Sequence, residues 1–95
     1  MKYIGLECTT GGVKRTEYIA IDRLSGLVDY TGATEIRLWE DQMTKYVDVE
    51  GTGFTQALAD NLRDAIIKQA AKPWWNATEM VDIPAGEVVV TIKVG

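Results

Sequence analysis

The residues of this 95-residue chain that first suggest chemistry are carboxylates, because six of its 14 aspartates and glutamates occur in three close pairs. The pairs are Glu40 with Asp41, Asp48 with Glu50, and Asp60 with Asp64. Two carboxylates on one face of a strand or helix can bind a hard cation or divide acid and base roles between them. The pattern assigns all of them to faces that meet solvent, where carboxylates keep ordinary pKa values. We therefore expect neither a metal ion nor acid/base catalysis from these pairs.

Other catalytic groups are scarce in the chain. Histidine is absent, which removes the usual general base and the commonest metal ligand. The single cysteine, Cys8, shares the inward side of its predicted strand with Ile4 and Leu6, so we expect a small buried hydrophobic side chain and not a nucleophile. A lone cysteine forms no internal disulfide and fits a reducing compartment. We predict no catalytic residue, no cofactor and no enzymatic activity.

The stretch "VEGTGFTQ" places two glycines between a predicted strand and the start of a predicted helix. Phosphate-binding turns share this arrangement. The dinucleotide fingerprint would need a third glycine where Gln56 stands, and a Gly-Lys-Ser/Thr sequence is absent. The glycines therefore favour a flexible turn with no ligand.

Charge argues against two classes of partner. The formal net charge is −4, and no basic run is longer than Lys14-Arg15, so nucleic acid is not an expected partner. The first residues, "MKYIGLECTT", are too short and too polar a run for a signal peptide or a membrane span. We expect synthesis in the cytosol and no membrane partner.

The elements that would position these residues follow from hydrophobic periodicity. Apolar residues alternate with polar ones in several short segments, which predicts strands: "KYIGLEC", "RTEYIAI", "GLVDY", "TEIRLWE", "KYVDVE", "TEMVDI" and "EVVVTIKV". Gly11-Gly12 predicts a tight turn between the first two. The last strand is expected to bury Val88, Val90, Ile92 and Val94 on one side, and to follow "TEMVDI" through Pro84-Ala85-Gly86.

One amphipathic helix is predicted over about residues 54–71. Its apolar residues recur every four positions, at Phe54, Leu58, Leu62, Ile66 and Ala70, with Ala65 and Ile67 alongside. Thr52 or Thr55 can cap its start, and Pro73 ends it. The predicted fold is a single α+β domain, residues 1–95, with a mainly antiparallel sheet and the helix packed on it.

Three tryptophans exceed what one small core needs. In the extended segment after Pro73, Trp74 and Trp75 point to opposite sides, so both cannot enter one core. Trp39 alternates with Arg37 on the polar side of its strand. Large aromatic side chains outside a core are typical of subunit interfaces and of stacking platforms for ligands. A loop folded over each ring would explain them equally well.

The run "ADNLRDAIIKQAAKPWWNATEMVDIPAGEVVVTIKVG" resembles small proteins of marine phages and their environmental relatives, over about two fifths of the chain. The resemblance rests on four features: the "LRDAII" helix, the Trp segment, the "VDIP-G" turn and the closing alternating strand. The resemblance implies a virus-encoded virion or assembly component. It assigns no functional residue.

A second segment, "YIAIDRLSGLVDYTGATEIRLWEDQMTKYVDVEGTGFTQAL", resembles small β-domains in which short strands lead into a helix. Such domains include SH3-like and Sm-like barrels and some bacterial DNA-binding modules. The resemblance implies a small barrel as an alternative form of the sheet. The missing basic surface argues against its DNA-binding version.

The sequence as a whole favours a non-enzymatic structural or interaction protein. We expect a homo-oligomer, with other virion proteins as further partners and with Trp39, Trp74 or Trp75 at the interface. The alternative is a module that binds a glycan or a small planar ligand on the same tryptophans.

Overall fold

A computed structural model describes residues 2–22, 24–40, 44–72 and 77–94 of the protein. It contains seven strands and one helix in the order β1 (Lys2–Thr10), β2 (Val13–Ala20), β3 (Leu24–Gly32), β4 (Glu35–Glu40), β5 (Tyr46–Thr52), α1 (Gln56–Ala71), β6 (Ala77–Met80) and β7 (Val88–Val94). The predicted order of five strands, a helix and two strands is confirmed.

All seven strands belong to one sheet, in the order β2-β1-β7-β5-β4-β3, with β6 also beside β1. Four neighbouring pairs are antiparallel, so the predicted mainly antiparallel α+β fold is confirmed. β6 and β7 each lie parallel to β1. The turn around Pro84-Ala85-Gly86 therefore carries the chain between two positions along β1. In the described residues the strand path has two ends, at β2 and β3, and is not a closed ring.

The helix packs on one face of the sheet and contacts β1, β3 and β6. It begins two residues after the predicted start, and its buried face is Leu58, Ala59, Leu62, Ala65, Ile66 and Gln69. Phe54 lies in the core just before it. Ile67 was expected beside the apolar face, but it is 55% exposed. The buried residues follow the spacing i, i+1, i+4, i+7, i+8 and i+11 from Leu58, and position 67 lies outside this face.

The core lies between the helix and inward-facing residues of the strands. Ile4, Leu6 and Cys8 of β1 are fully buried, as their alternation predicts. Ile36 and Leu38 of β4 face Val49 and Val47 of β5 across the antiparallel pair. These cross-strand pairs place the polar residues of β4 and β5 together on the opposite face of the sheet.

The closing strand β7 departs from the predicted single buried side. Val89 is the buried residue, whereas Val88 and Val94 are exposed. The register with β5 shifts between Glu50 and Gly51, so β7 carries an extra residue at Val90. Because a bulge reverses the alternation, Val89 faces inward before it and Ile92 packs against the core after it. Strict alternation cannot predict such a reversal.

Candidate functional site

The face of β4 and β5 that lies opposite the core carries a cluster of charged side chains centred on Arg37. Antiparallel register sets Arg37 opposite Asp48. Its Nε donates to Oδ1 of Asp48 at 2.9 Å and its Nη2 donates to Oδ2 at 3.2 Å, a bidentate pair. The guanidinium also lies over the Tyr46 ring, 3.7 Å from its centroid. The hydrogen bond to Asp48 raises the pKa of Arg37 above its usual value.

Three carboxylates meet around this arginine. Oxygens of Glu35, Asp48 and Glu50 lie within 4.8 Å of one another, a spacing that would suit a cation. Positive charge is already present, because Arg37 binds Asp48 and Lys93 lies 3.4 Å from Glu50. The cluster is therefore an ion-pair network that joins three strands.

The expected solvent exposure of Asp48 is wrong, since that residue is only 7% exposed. The bidentate arginine and its neighbours cover it. The helical pair behaves as expected, because Asp60 and Asp64 are both exposed. Of the remaining pair, Glu40 is half-buried and Asp41 lies outside the described residues.

Trp39 lies at the end of the same cluster and is half-buried. Its indole Nε1 donates to Oδ2 of Asp29 at 2.9 Å, and its ring meets Tyr46 edge-on with centroids 5.4 Å apart. Neighbours within its own chain thus contact part of the ring, and a place for Trp39 at a subunit interface stays a prediction. The other two candidate residues, Trp74 and Trp75, lie outside the described residues.

The start of α1 shows why "VEGTGFTQ" needs no anion. Glu87 accepts from the backbone N–H of Thr55 at 2.8 Å and from its hydroxyl at 2.9 Å. Gly53 and Gly86 both have positive φ, and a Cβ on Gly53 would lie 2.8 Å from the Gly86 carbonyl oxygen. The two turns therefore pack closely, and a carboxylate from the β6–β7 connection occupies the helix N-terminus. Thr55 is the N-cap residue, as predicted, but it bonds Glu87 and does not cap with its own side chain.

Cys8 is fully buried in β1. Desolvation by burial raises the pKa of its thiol. A thiol that is protonated and inaccessible is a poor nucleophile.

An aromatic patch on the face of β1, β2 and β6 opposite the core was not predicted. We define it as Tyr3, Tyr18 and Met80, which surround Gly5. Tyr18 is 58% exposed and Met80 is 51% exposed. The rings of Tyr3 and Tyr18 pack edge-to-face with centroids 6.4 Å apart. A Cβ on Gly5 would come within 2.6 Å of the Met80 sulfur, so the glycine gives Met80 its place.

Part of this patch could have been found from the sequence. The Gly11-Gly12 turn fixes the register that sets Tyr18 opposite Gly5. The contribution of Met80 depends on the parallel pairing of β6 with β1, for which no short-range pattern exists.

A cavity of ≈ 300 Å³ opens near the end of β2. Its wall includes Ile19, Leu24, Val47, Ile92 and Val94, with Asp22 and Glu40 among the polar lining residues. This volume lies at the lower end of the range for small-molecule sites. Trp39 does not line it.

Among the described residues, no helix is both long and apolar enough to cross a membrane. Compared with known protein families, with curated proteins and with solved structures, the chain has no significant match.

Proposed function

We propose that the chain is a non-enzymatic, self-assembling interaction protein that acts as a homo-oligomer. The observation that carries the proposal is the aromatic patch, in which Tyr18 of the end strand β2 and Met80 of β6 are each more than half exposed. Tyr and Met are enriched at protein interfaces, whereas large exposed apolar patches are rare on monomers.

The state of the candidate chemical groups supports a non-enzymatic role. Asp48 is occupied by Arg37, the helix N-terminus is occupied by Glu87, and Cys8 is buried. Each of these groups has a structural partner or a structural place, which is typical of groups that stabilise a fold.

The resemblance to small phage proteins supports a more specific form of the proposal, a component of a virion or of its assembly. In this form the protein is made in the host cytosol and also contacts other virion proteins. Trp75 precedes β6 by two positions, so the Trp segment leads directly into the strand that carries Met80. Trp74 and Trp75 are accordingly proposed as further interface residues.

The solution mass, measured by light scattering over a concentration series, tests self-association. We expect an oligomer, and Tyr18→Ser should lower its mass because it removes exposed aromatic surface. Ile67→Ser is a matched control, since Ile67 is similarly exposed but lies on the helix. A wild-type protein that stays at the mass of one chain throughout would refute the proposal.

The alternative function is the binding of a small apolar or planar ligand, and the cavity beside Ile19 and Val47 favours it. The environment-sensitive dye 8-anilinonaphthalene-1-sulfonate serves as the probe ligand. Its fluorescence should rise when it enters the apolar cavity. Val47→Trp should fill the cavity and abolish this response. A dye response that Val47→Trp leaves unchanged would place the binding elsewhere.

A further inference from the structure

The outer edge of β2 presents an ordered row of backbone groups. Eight consecutive residue pairs join β2 to β1 without a bulge. Ile21 N–H donates to the Lys2 carbonyl at 3.0 Å, which fixes the alternation of bonded and non-bonded pairs. Odd-numbered residues of β2 therefore bond β1, and Lys14, Thr16 and Tyr18 direct their backbone groups away from it.

In the described part of the chain, this edge is an end of the sheet. An open edge of this kind is a template for another strand. When two copies of β2 pair antiparallel about a two-fold axis, the residue on the axis determines which side chains face each other. The sequence of β2 therefore indicates which of these registers is favourable.

A register centred on Arg15 sets that arginine against itself, and one centred on Glu17 sets two carboxylates against each other. Like charges directly opposite are destabilising. A register centred on Thr16 instead sets Arg15 of each copy opposite Glu17 of the other. It also matches the backbone, since Thr16 is one of the residues whose N–H and C=O point outward.

The same register improves the surroundings of two exposed side chains. Val13, which is 68% exposed, comes opposite Ile19 of the second copy. Lys14 comes opposite Tyr18, where its alkyl stem can cover the ring. A register centred on Tyr18 is shorter and sets Arg15 and Glu17 against isoleucines.

We propose that two copies of this chain join β2 to β2 in an antiparallel pair with the two-fold axis at Thr16. The sheet then continues across the dimer. This inference rests on the proposed self-association and names the surface and partner that produce it.

A disulfide cross-link tests the register. In a bonded antiparallel pair the two Cα atoms lie about 5.5 Å apart, within disulfide reach. Thr16→Cys should therefore give a covalent dimer on a non-reducing gel after mild oxidation. The matched control is Lys14→Cys on the same face, because its two copies would lie about 13 Å apart along the strands. Cross-linking of both variants to the same extent, or of neither in a protein that is oligomeric, overturns the register.

A mixing experiment separates contacts between chains from those within one chain, where Arg15 already bonds Glu17 at 2.9 Å. Arg15→Glu and Glu17→Arg each place like charges across the interface, so each variant alone should dimerise at least about tenfold more weakly, a loss of about 1.4 kcal/mol. An equimolar mixture should recover the dimer mass, since the two variants are complementary. Circular dichroism first shows that both are folded, and the Thr16→Cys cross-link keeps the test decisive if one is not.

The outcomes distinguish the two proposals. A wild-type oligomer whose variants stay monomeric when mixed would leave self-association intact and overturn the β2 interface. A wild-type monomer at every concentration overturns both.

Discussion

The two end strands of the sheet, β2 and β3, differ in how regular their pairing is and in how they are covered. β2 keeps unbroken register with β1 over eight pairs, whereas the register of β3 with β4 shifts twice. Side chains also bond the backbone around β3, since Ser25 Oγ donates to the Trp39 carbonyl and accepts from Leu27 N–H. The helix contacts β3 as well. Bulges and covering elements are ways in which proteins block strand addition, which is why the proposed pairing uses β2 and not β3.

The largest effect is expected from a substitution that breaks the polar network joining β4, β5 and β7, on the half of the sheet that ends at β3. Arg37→Met leaves the carboxylate of Asp48 buried without its partner, and we expect a loss of about 3 kcal/mol in the free energy of unfolding. Lys14→Met on β2 is the control, because its pair with Glu7 is exposed and such pairs contribute about 0–1 kcal/mol. Urea denaturation of both variants gives the comparison. Equal losses would show that the Arg37 pair has no special structural role.

The turn that fixes β2 provides the next test. Gly12 has φ +80°, in the left-handed region, and Gly12→Ala should cost about 1–2 kcal/mol in the free energy of unfolding. Gly26, in β3, has φ +87° and should cost a similar amount when changed to Ala. The two variants should differ in association, since only Gly12→Ala disturbs the register of β2. Light scattering at matched folded fractions checks this, and equal association by both would contradict the contrast between the edges.

Trp39 tests whether the aromatic residue beside β3 acts within its own chain. Trp39→Phe keeps an aromatic ring and removes the hydrogen bond to Asp29, so we expect a loss of about 1 kcal/mol in the free energy of unfolding. The oligomeric mass should not change. A fall in mass would return Trp39 to the subunit interface that the sequence suggested.

The smallest expected effect concerns pH. The hydrogen bond from Lys72 lowers the pKa of Glu79. Because this pKa is lower in the folded state, the stabilisation is present above the ordinary glutamate pKa and is lost as the pH falls through the folded value. Thermal melts between about pH 3 and 6 should therefore show a shallower decline for Glu79→Gln than for wild type. Superimposable pH profiles would mean that the Lys72 pair contributes nothing to folding.

The sequence predicts what depends on local pattern. Alternation places Cys8 inside and Arg37 outside, and the four-residue period places Leu58 and Leu62 on the buried face of the helix. These predictions succeed because adjacent residues in a strand or helix share fixed geometry.

What the sequence does not predict depends on contacts between distant segments. The parallel docking of β6 on β1 creates the aromatic patch, the bulge at Val90 reverses one face of β7, and Glu87 reaches Thr55 from another loop. Burial of Asp48 likewise needs the guanidinium of a neighbouring strand. Net charge and periodicity do not encode such pairings, because each depends on which strands become neighbours.

The position of β1 has a consequence for how the chain folds. Its two sides are completed by β2, the next strand along the chain, and by β6 and β7, with Cys8 meeting Val89. The early hairpin can form within microseconds, but the centre of the sheet has to wait until residues some eighty positions later have been synthesised. Folding is thus expected on the millisecond-to-second scale of sheets with distant pairings. Until β6 and β7 have been made, a nascent chain carries β1 with one side unpaired. Fast completion of the sheet then lowers the chance of misassembly.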